Sequence, residues 1–293
     1  MEEYLLAALQ LLQEHWINRY SFDWPGLTER CKAFLLQCGD AHEAVRYALA
    51  QLGDSHSHLV VSADGAGNPP ASIGPTGYLL ESKGRKIGVL NIPGFLGSDK
   101  QAFAFAIREA LVELRMADPY AWVVNLWDDW GGDMWPMIAG LGPLLGSRYI
   151  GATDFGQERH TWFYDNGAVG ICLDSGVEHE FLRIPNLIVT DEQLSDCRSA
   201  PVAVLIGNDT ASSGEAVAIA FRGRERTRFF GKRTYGLSTS NREFILSDGA
   251  RLYVAVAVMA DRNGILYESG LNPDEEVEDC QQALGAAIRW FDT

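Results

Sequence analysis

The run Thr210-Ala211-Ser212-Ser213-Gly214-Glu215 follows an apolar stretch, 202–206, and opens a segment, 216–221, that reads as helix. A serine at the tip of a strand and the start of a helix is well placed as a nucleophile. The unpaired N–H groups of the first helical turn face the negative charge that its attack creates. Ser212 and Ser213 both meet that description. A second strand–turn–helix unit leaves a strand ending at Trp127 and passes through Asp128-Asp129-Trp130-Gly131-Gly132. In an open α/β sheet such turns gather at the carboxyl ends of the strands, where ligands bind. Paired glycines let backbone amides approach a substrate closely. Gly131 or Gly132 is therefore a candidate for one oxyanion donor, and the amide of Ser213 for the other. A Gly-Gly pair is equally at home in an ordinary tight turn.

A serine nucleophile needs a base, and the chain has six histidines: His15, His42, His56, His58, His160 and His179. His15 and His42 fall in segments that read as helix, where a surface or core role is expected. His160 and His179 lack a supporting context. Leu52-Gly-Asp-Ser-His-Ser-His58 differs, because it sets a titratable base in a polar cluster at the end of a helical region. His56 and His58 share one face of an extended segment. A metal pair is conceivable there, but a third ligand of matching spacing is missing, so neither metal nor cofactor is expected. Two surface histidines after a helix end are the plainer alternative. Farther on, Tyr267-Glu268-Ser269-Gly270-Leu271-Asn272-Pro273-Asp274 reads as a turn, and Glu268 by itself as a solvated acid.

The elements that must position these residues follow from periodicity. Leu5, Leu6, Leu9 and Leu12 recur at helical spacing, and 21–26 breaks the pattern. A second helix is expected over 27–37, stopped by Gly39. Asp40 with Glu43 gives a capping signal for a third, ending near Gly53. Residues 1–58 are thus expected to form an amino-terminal helical bundle ending in the histidine motif. Residues 62–76, rich in Gly, Pro, Ser and Ala, read as a linker. An α/β alternation then begins: strand 87–92, helix 100–116, strand 121–127 and helix 134–145. Residues 147–198 suggest a β-rich insertion or cap. Strand 202–206, the serine helix, and strands 244–246 and 252–258 complete an α/β core over 59–293.

Composition excludes several classes. The 293 residues are 47% hydrophobic and 22% charged, which is ordinary for a soluble globular chain. A net charge of −15 argues against nucleic acid and anionic membranes, and favours cationic ligands at long range. Apolar runs are too short for membrane insertion. The acidic Met1-Glu2-Glu3 start does not suit a signal peptide, so a cytoplasmic location is expected. The five cysteines are scattered, without Cys-x-x-Cys spacing, and read as reduced thiols.

With these clusters in order, the chain resembles the carboxyl-terminal processing (tail-specific) serine peptidases and the tricorn core protease. It looks closest to the nisin-resistance-protein-like branch. The matching residues are Leu52-Gly-Asp-Ser-His-Ser-His58, Gly77-Tyr78-Leu79, Gly132-x-Met134-Trp135-Pro136-Met137 and Gly140-x-Gly-Pro-Leu-Leu-Gly146. Thr210-Ala-Ser-Ser-x-Glu215, Gly231-x-x-Thr-x-Gly236, Ser247-Asp-Gly-Ala-Arg-Leu252 and Tyr267-Glu268 before Pro273-Asp274 continue the series. The resemblance implies a crotonase/ClpP-like core behind an amino-terminal helical region. It places the nucleophile at Ser212, the general base at His56, and Glu215 lining the site. It also implies that Glu268 acts through Ser55 to orient His56.

Three departures from the family pattern stand out. Where the tail-specific branch carries its lysine base, after Gly-x-x-Thr-x-Gly, this chain has Leu237, which leaves His56 as the base. The usual Asp-Leu-Arg-x-Asn is Asn125-Leu126-Trp127-Asp128-Asp129 here, followed by Trp130. A carboxylate at 129 disfavours an anionic intermediate unless it points away or pairs. Only about 20 residues separate His58 from Gly77, too few for a PDZ domain. The expected activity is hydrolysis of a short or unfolded peptide, cationic or modified, through a Ser212 acyl-enzyme. Ester hydrolysis or acyl transfer on a small molecule, and a catalytically silent binding protein, are the alternatives.

Overall fold

The computed structural model describes residues 1–61 and 73–293. In chain order it begins with helices α1 (Glu2–His15), α2 (Trp24–Cys38) and α3 (Ala41–Leu52), then strands β1 (His58–Val60), β2 (Thr76–Ser82) and β3 (Arg85–Asn91). Helix α4 (Lys100–Arg115), strand β4 (Ala121–Asn125) and helix α5 (Met134–Leu141) come next. Strands β5 (Tyr149–Asp154), β6 (Arg159–Asp165), β7 (Ala168–Cys172) and β8 (Glu178–Arg183) precede the short helix α6 (Ser195–Ser199). The chain continues through β9 (Val202–Ile206), α7 (Ser213–Phe221), β10 (Thr227–Gly231), β11 (Thr239–Ile245) and β12 (Arg251–Asp261). Strands β13 (Leu266–Tyr267) and β14 (Glu275–Glu276) and helix α8 (Cys280–Phe291) end it.

Two units make up this chain: Met1–Ala71 with Thr239–Val258, and Ser72–Ser238 with Met259–Thr293. In the first, Leu5, Ala8, Leu9 and Leu12 of α1 are buried, as are Leu27, Cys31 and Leu35 of α2 and Ala44, Val45, Ala48 and Leu49 of α3. Asp40 caps α3 by accepting from the amides of His42 and Glu43. Helix α2 starts three residues earlier than its apolar spacing predicts. Asp23 accepts from Gly26 N, and Pro25 sits in the first turn, where its missing N–H is harmless. The unit is not purely helical, however, and does not end at residue 58. β1 pairs antiparallel with β12 (Leu59↔Leu252), and β12 pairs with β11 (Phe244↔Leu252). No local pattern announces a pairing so distant along the chain, and that is why the sequence-based boundary falls short.

The second unit is built on a sheet in the order β14-β10-β9-β4-β3-β2. β3, β4, β9, β10 and β14 run parallel, and β2 closes the edge antiparallel to β3. Side chains alternate between its two faces, as strand geometry requires. Val124, Val202, Val204 and Ile206 pack with α4, α5 and α7, whereas Val123, Ala203, Leu205 and Phe230 pack under α8. Residues 147–198 hold β5 to β8, paired in antiparallel succession, and α6. The linker expected over 62–76 lies, through residue 72, outside the described residues, and Thr76 already begins β2. Among the described residues no helix is long and apolar enough to cross a membrane.

Candidate active site

Three neighbouring parallel strands place the chemistry. β4, β9 and β10 lie side by side, with Asn125 opposite Leu205 and Ile206 opposite Gly231. The loops after their carboxyl ends therefore emerge together: 126–133, 207–212 and 232–238. Thr210 ties two of them, since its Oγ1 donates to Leu126 O at 2.7 Å and accepts from Gly207 N at 2.9 Å. Ala211 N donates to Asp129 O at 2.9 Å, and Tyr235 N to Thr210 O at 2.9 Å, which joins the third. The second unit thus brings Asp129, Trp130, Gly131, Gly132, Ser212, Ser213 and Glu215 together. Ser55 and His56 belong to the first unit.

Ser212 is the N-cap of α7, with φ 51° and ψ −114°. A non-glycine residue held there carries strain of about 1–3 kcal/mol, which the surroundings must over-determine. Its own N–H donates to Glu215 Oε2 at 3.0 Å. Glu215 is fully buried and receives three further hydrogen bonds, from Thr234 Oγ1 (2.5 Å), Gly236 N (2.9 Å) and Leu237 N (2.6 Å). An ionised carboxylate has acceptor sites for all four. Burial pushes its pKa up, and the four donors oppose that. The expectation that Glu215 lines the site is corrected here: its carboxylate holds the backbone of the nucleophile turn and of the 234–237 loop, out of reach of solvent. The family motif could signal its importance but not this role.

The Gly131-Gly132 turn lies directly against that serine. A Cβ on Gly131 would fall 2.8 Å from Ala211 O and 3.0 Å from Ser212 Cβ, and one on Gly132 only 2.0 Å from Phe95 O. Both residues have φ above 100° (108° and 105°), so glycine is required twice over. Gly131 N donates to Asp129 Oδ1 at 3.0 Å, which removes it as an oxyanion donor. Gly131 O accepts from Phe95 N at 2.8 Å. A trans peptide directs its C=O and N–H oppositely, so the Gly132 N–H points away from Phe95. Ser213 Oγ donates to Gly132 O at 2.6 Å and locks the turn to the start of α7.

Asp129 is fully buried, and its Oδ2 has no hydrogen-bond partner among the described residues. Burial drives its carboxyl up to about 8, with only the Gly131 amide opposing. It is therefore mostly protonated at neutral pH, and the negative charge expected beside the oxyanion loop is largely absent. Trp127 sets its ring against Gly207, where a Cβ would fall 2.8 Å from it, and Trp130 stands half-buried.

In the first unit, Asp54 organises the histidine motif. Its carboxylate accepts from His56 N at 2.7 Å, from Ser57 N at 3.2 Å, from Ser57 Oγ and from Trp16 Nε1 at 3.1 Å. Ser57 Oγ in turn accepts from Ala255 N at 2.9 Å. His56 Nδ1 is hydrogen-bonded to Thr239 Oγ1 at 2.7 Å, and His56 O accepts from Asn241 Nδ2 at 2.9 Å. Thr239 thus holds Nδ1 within this unit, and Ser55 is exposed. Thr239 went unnoticed because it sits far along the chain, in an unremarkable Thr-Ser run. Burial pushes His56 down to about 4, partly offset by Asp54, so its ring is neutral near pH 7. His58 stacks on Tyr253 with ring centroids 4.7 Å apart. Glu268 is exposed in the second unit, on a loop held by Ser238, whose Oγ donates to Tyr267 O and accepts from Gly270 N.

The profile of peptidase family S41 matches residues 86–277, more than half of the chain, and the chain belongs to that family. It is 29% identical over 212 residues to the nisin-resistance protein of Lactococcus lactis subsp. lactis, covering 69% of this chain and 59% of that one. To the chloroplastic carboxyl-terminal-processing peptidase 2 of Arabidopsis thaliana it is 30% identical over 177 residues, 60% of this chain and 28% of the other. The chain thus spans less than two thirds of either relative. Among solved structures, a lipoprotein from Streptococcus agalactiae shares the fold with a TM-score of 0.75 at 21% identity, over 99% of this chain and 96% of its own. A photosystem II D1 C-terminal processing protease does so with a TM-score of 0.59 at 15% identity, over 98% and 96%.

Proposed function

We propose that the protein hydrolyses a peptide bond in a short or unfolded peptide through an acyl-enzyme on Ser212. Ser212 Oγ attacks the scissile carbonyl carbon while His56 takes its proton. With Nδ1–H directed to Thr239, Nε2 carries the lone pair that accepts it. The oxyanion is held by the amides of Gly132 and Ser213. Collapse expels the amine, which receives the proton from His56. Water then attacks the acyl-enzyme, again with His56 as base, and frees the acid. Ser55 and Glu268 are assigned to support the base. The parallel β4-β9-β10 order, with helices on both faces, supports a crotonase/ClpP-like assignment for the second unit.

One observation carries this proposal. Ser212 is held in a strained backbone conformation at a helix N-terminus, its amide pinned by Glu215 and a glycine turn set against it. Serine turns of ordinary loops have no need of such strain. A fluorophosphonate probe should label the wild-type protein and leave Ser212→Ala unlabelled, with peptide cleavage lost in parallel. Equal labelling of both proteins would sink the assignment of the nucleophile. Turnover of activated esters with no peptide cleaved would favour small-molecule acyl transfer instead.

A further inference from the structure

A cleft of about 500 Å³ opens where the three loops meet, lined by Asp128, Trp130, Asp209, Ala211, Tyr235 and Leu237. Each loop contributes two residues: 128 and 130 after β4, 209 and 211 after β9, 235 and 237 after β10. The cleft adjoins the nucleophile, because Ala211 precedes Ser212. Leu237 and Ser212 also direct their amides to the same oxygen, Glu215 Oε2. Its walls are fixed from outside. The Trp130 ring lies over Gly94, where a Cβ would come within 2.6 Å of it, and Tyr235 is anchored through its amide to Thr210 O.

The chemistry of the lining is uneven. Asp128 and Asp209 are exposed acids, and among the described residues neither has a cationic partner. Facing the same space are two aromatic rings and an aliphatic side chain. Two carboxylates are too few to strip water from a metal ion, and no group of three or more metal-binding side chains occurs among the described residues. An organic cation on an aliphatic stem matches better. Its stem covers apolar surface, its charge meets the carboxylates, and aromatic faces add cation–π attraction. The volume lies within the range of about 300–1,000 Å³ typical of small-ligand sites, enough for a long side chain with its adjoining backbone.

We propose that this cleft is a specificity subsite for a lysine or arginine side chain of the substrate, close to the scissile bond. The subsite rests on the peptidase function proposed above and names the substrate class for it. At low ionic strength the two carboxylates and the aromatic walls together should favour the basic residue by about ten-fold, and salt should erode that preference.

The test is a defined library of unmodified peptides, incubated with wild type and with Ser212→Ala, with cleavage sites read by mass spectrometry. Lys and Arg should be enriched at one fixed position relative to the Ser212-dependent cuts. For a matched pair of peptides differing only by Lys or norleucine at that position, the kcat/KM ratio should be about ten at low salt. It should fall toward one in the double variant D128N/D209N. Being a ratio within one preparation, it is unaffected by the fraction of a variant that folds. Ser212-dependent cleavage without basic enrichment, or an undiminished ratio in the double variant, overturns the subsite and leaves the peptidase standing. Failure to cleave any peptide in a Ser212-dependent way overturns both.

Discussion

On the helix side of Ser212, Glu215 collects four hydrogen bonds from Ser212 N, Thr234 Oγ1, Gly236 N and Leu237 N. On the loop side, Asp129 collects one, from Gly131 N, and leaves Oδ2 without a partner among the described residues. Both carboxyls are fully buried. Burial pushes both upward, but only Glu215 has a set of donors suited to a carboxylate. Asp129 has a single opposing donor and reaches about 8. Burial is common to both, and the number of donors meeting each carboxyl sets them apart. The helix side is a hydrogen-bonded hub that holds backbone, and the loop side is a mostly neutral prop beneath the glycine turn.

The contrast is open to direct attack. Its largest consequence concerns Glu215→Ala, which strands four donors, three of them backbone amides. Global stability should fall by about 3–5 kcal/mol in urea unfolding, and a loss under 1 kcal/mol would refute the hub.

Next comes Asp129→Asn, which keeps the acceptor for Gly131 and removes the titration. The folded carboxyl binds its proton up to about pH 8, against about 4 for the unfolded chain, so the native state holds more protons between those values. Wild-type stability should accordingly fall as pH rises from about 4 to about 8 and level off above, through this group. Asp129→Asn should gain about 4 kcal/mol over wild type at pH 8.5 relative to pH 5. A difference that is constant with pH would show that Asp129 is ionised throughout.

The smallest effect belongs to the first unit. Thr239→Val removes the partner of His56 Nδ1, and kcat should drop about ten-fold with KM little changed, restored by Thr239→Ser. In the wild type, the acid limb of kcat/KM should sit near pH 4, where His56 gains its proton, rather than near the usual 6.5. A limb at 6.5, or no rescue by serine, would remove Thr239 and burial from the account of the base.

Much of the scaffold was legible from local pattern. The Asp40 cap, the helix over Lys100–Arg115 and the buried run Val202–Ile206 each depend on neighbours within a few residues. The strand–turn–helix units after β4 and β9 were legible for the same reason. The antiparallel strand Thr76–Ser82 was missed, because mostly exposed edge positions carry no hydrophobic alternation. Asp54 and Ser57, which pin the histidine motif, read from sequence only as part of a polar cluster around His56, since their partners include Trp16 and Ala255.

What the sequence determined by itself is the set of chemical groups: a serine at a strand-to-helix turn, a histidine motif, no lysine at position 237, and an acidic total charge. Those follow from residue identity and short spacing. Only the tertiary structure decided how the groups behave. It spends Gly131's amide on Asp129, turns Glu215 inward to four donors, leaves Asp129 with one, and sets Asp128 and Asp209 on a common cleft. The physical reason is that ionisation, donor direction and shared cavities depend on groups brought near across the sheet, and the spacing of residues along a chain does not record that proximity.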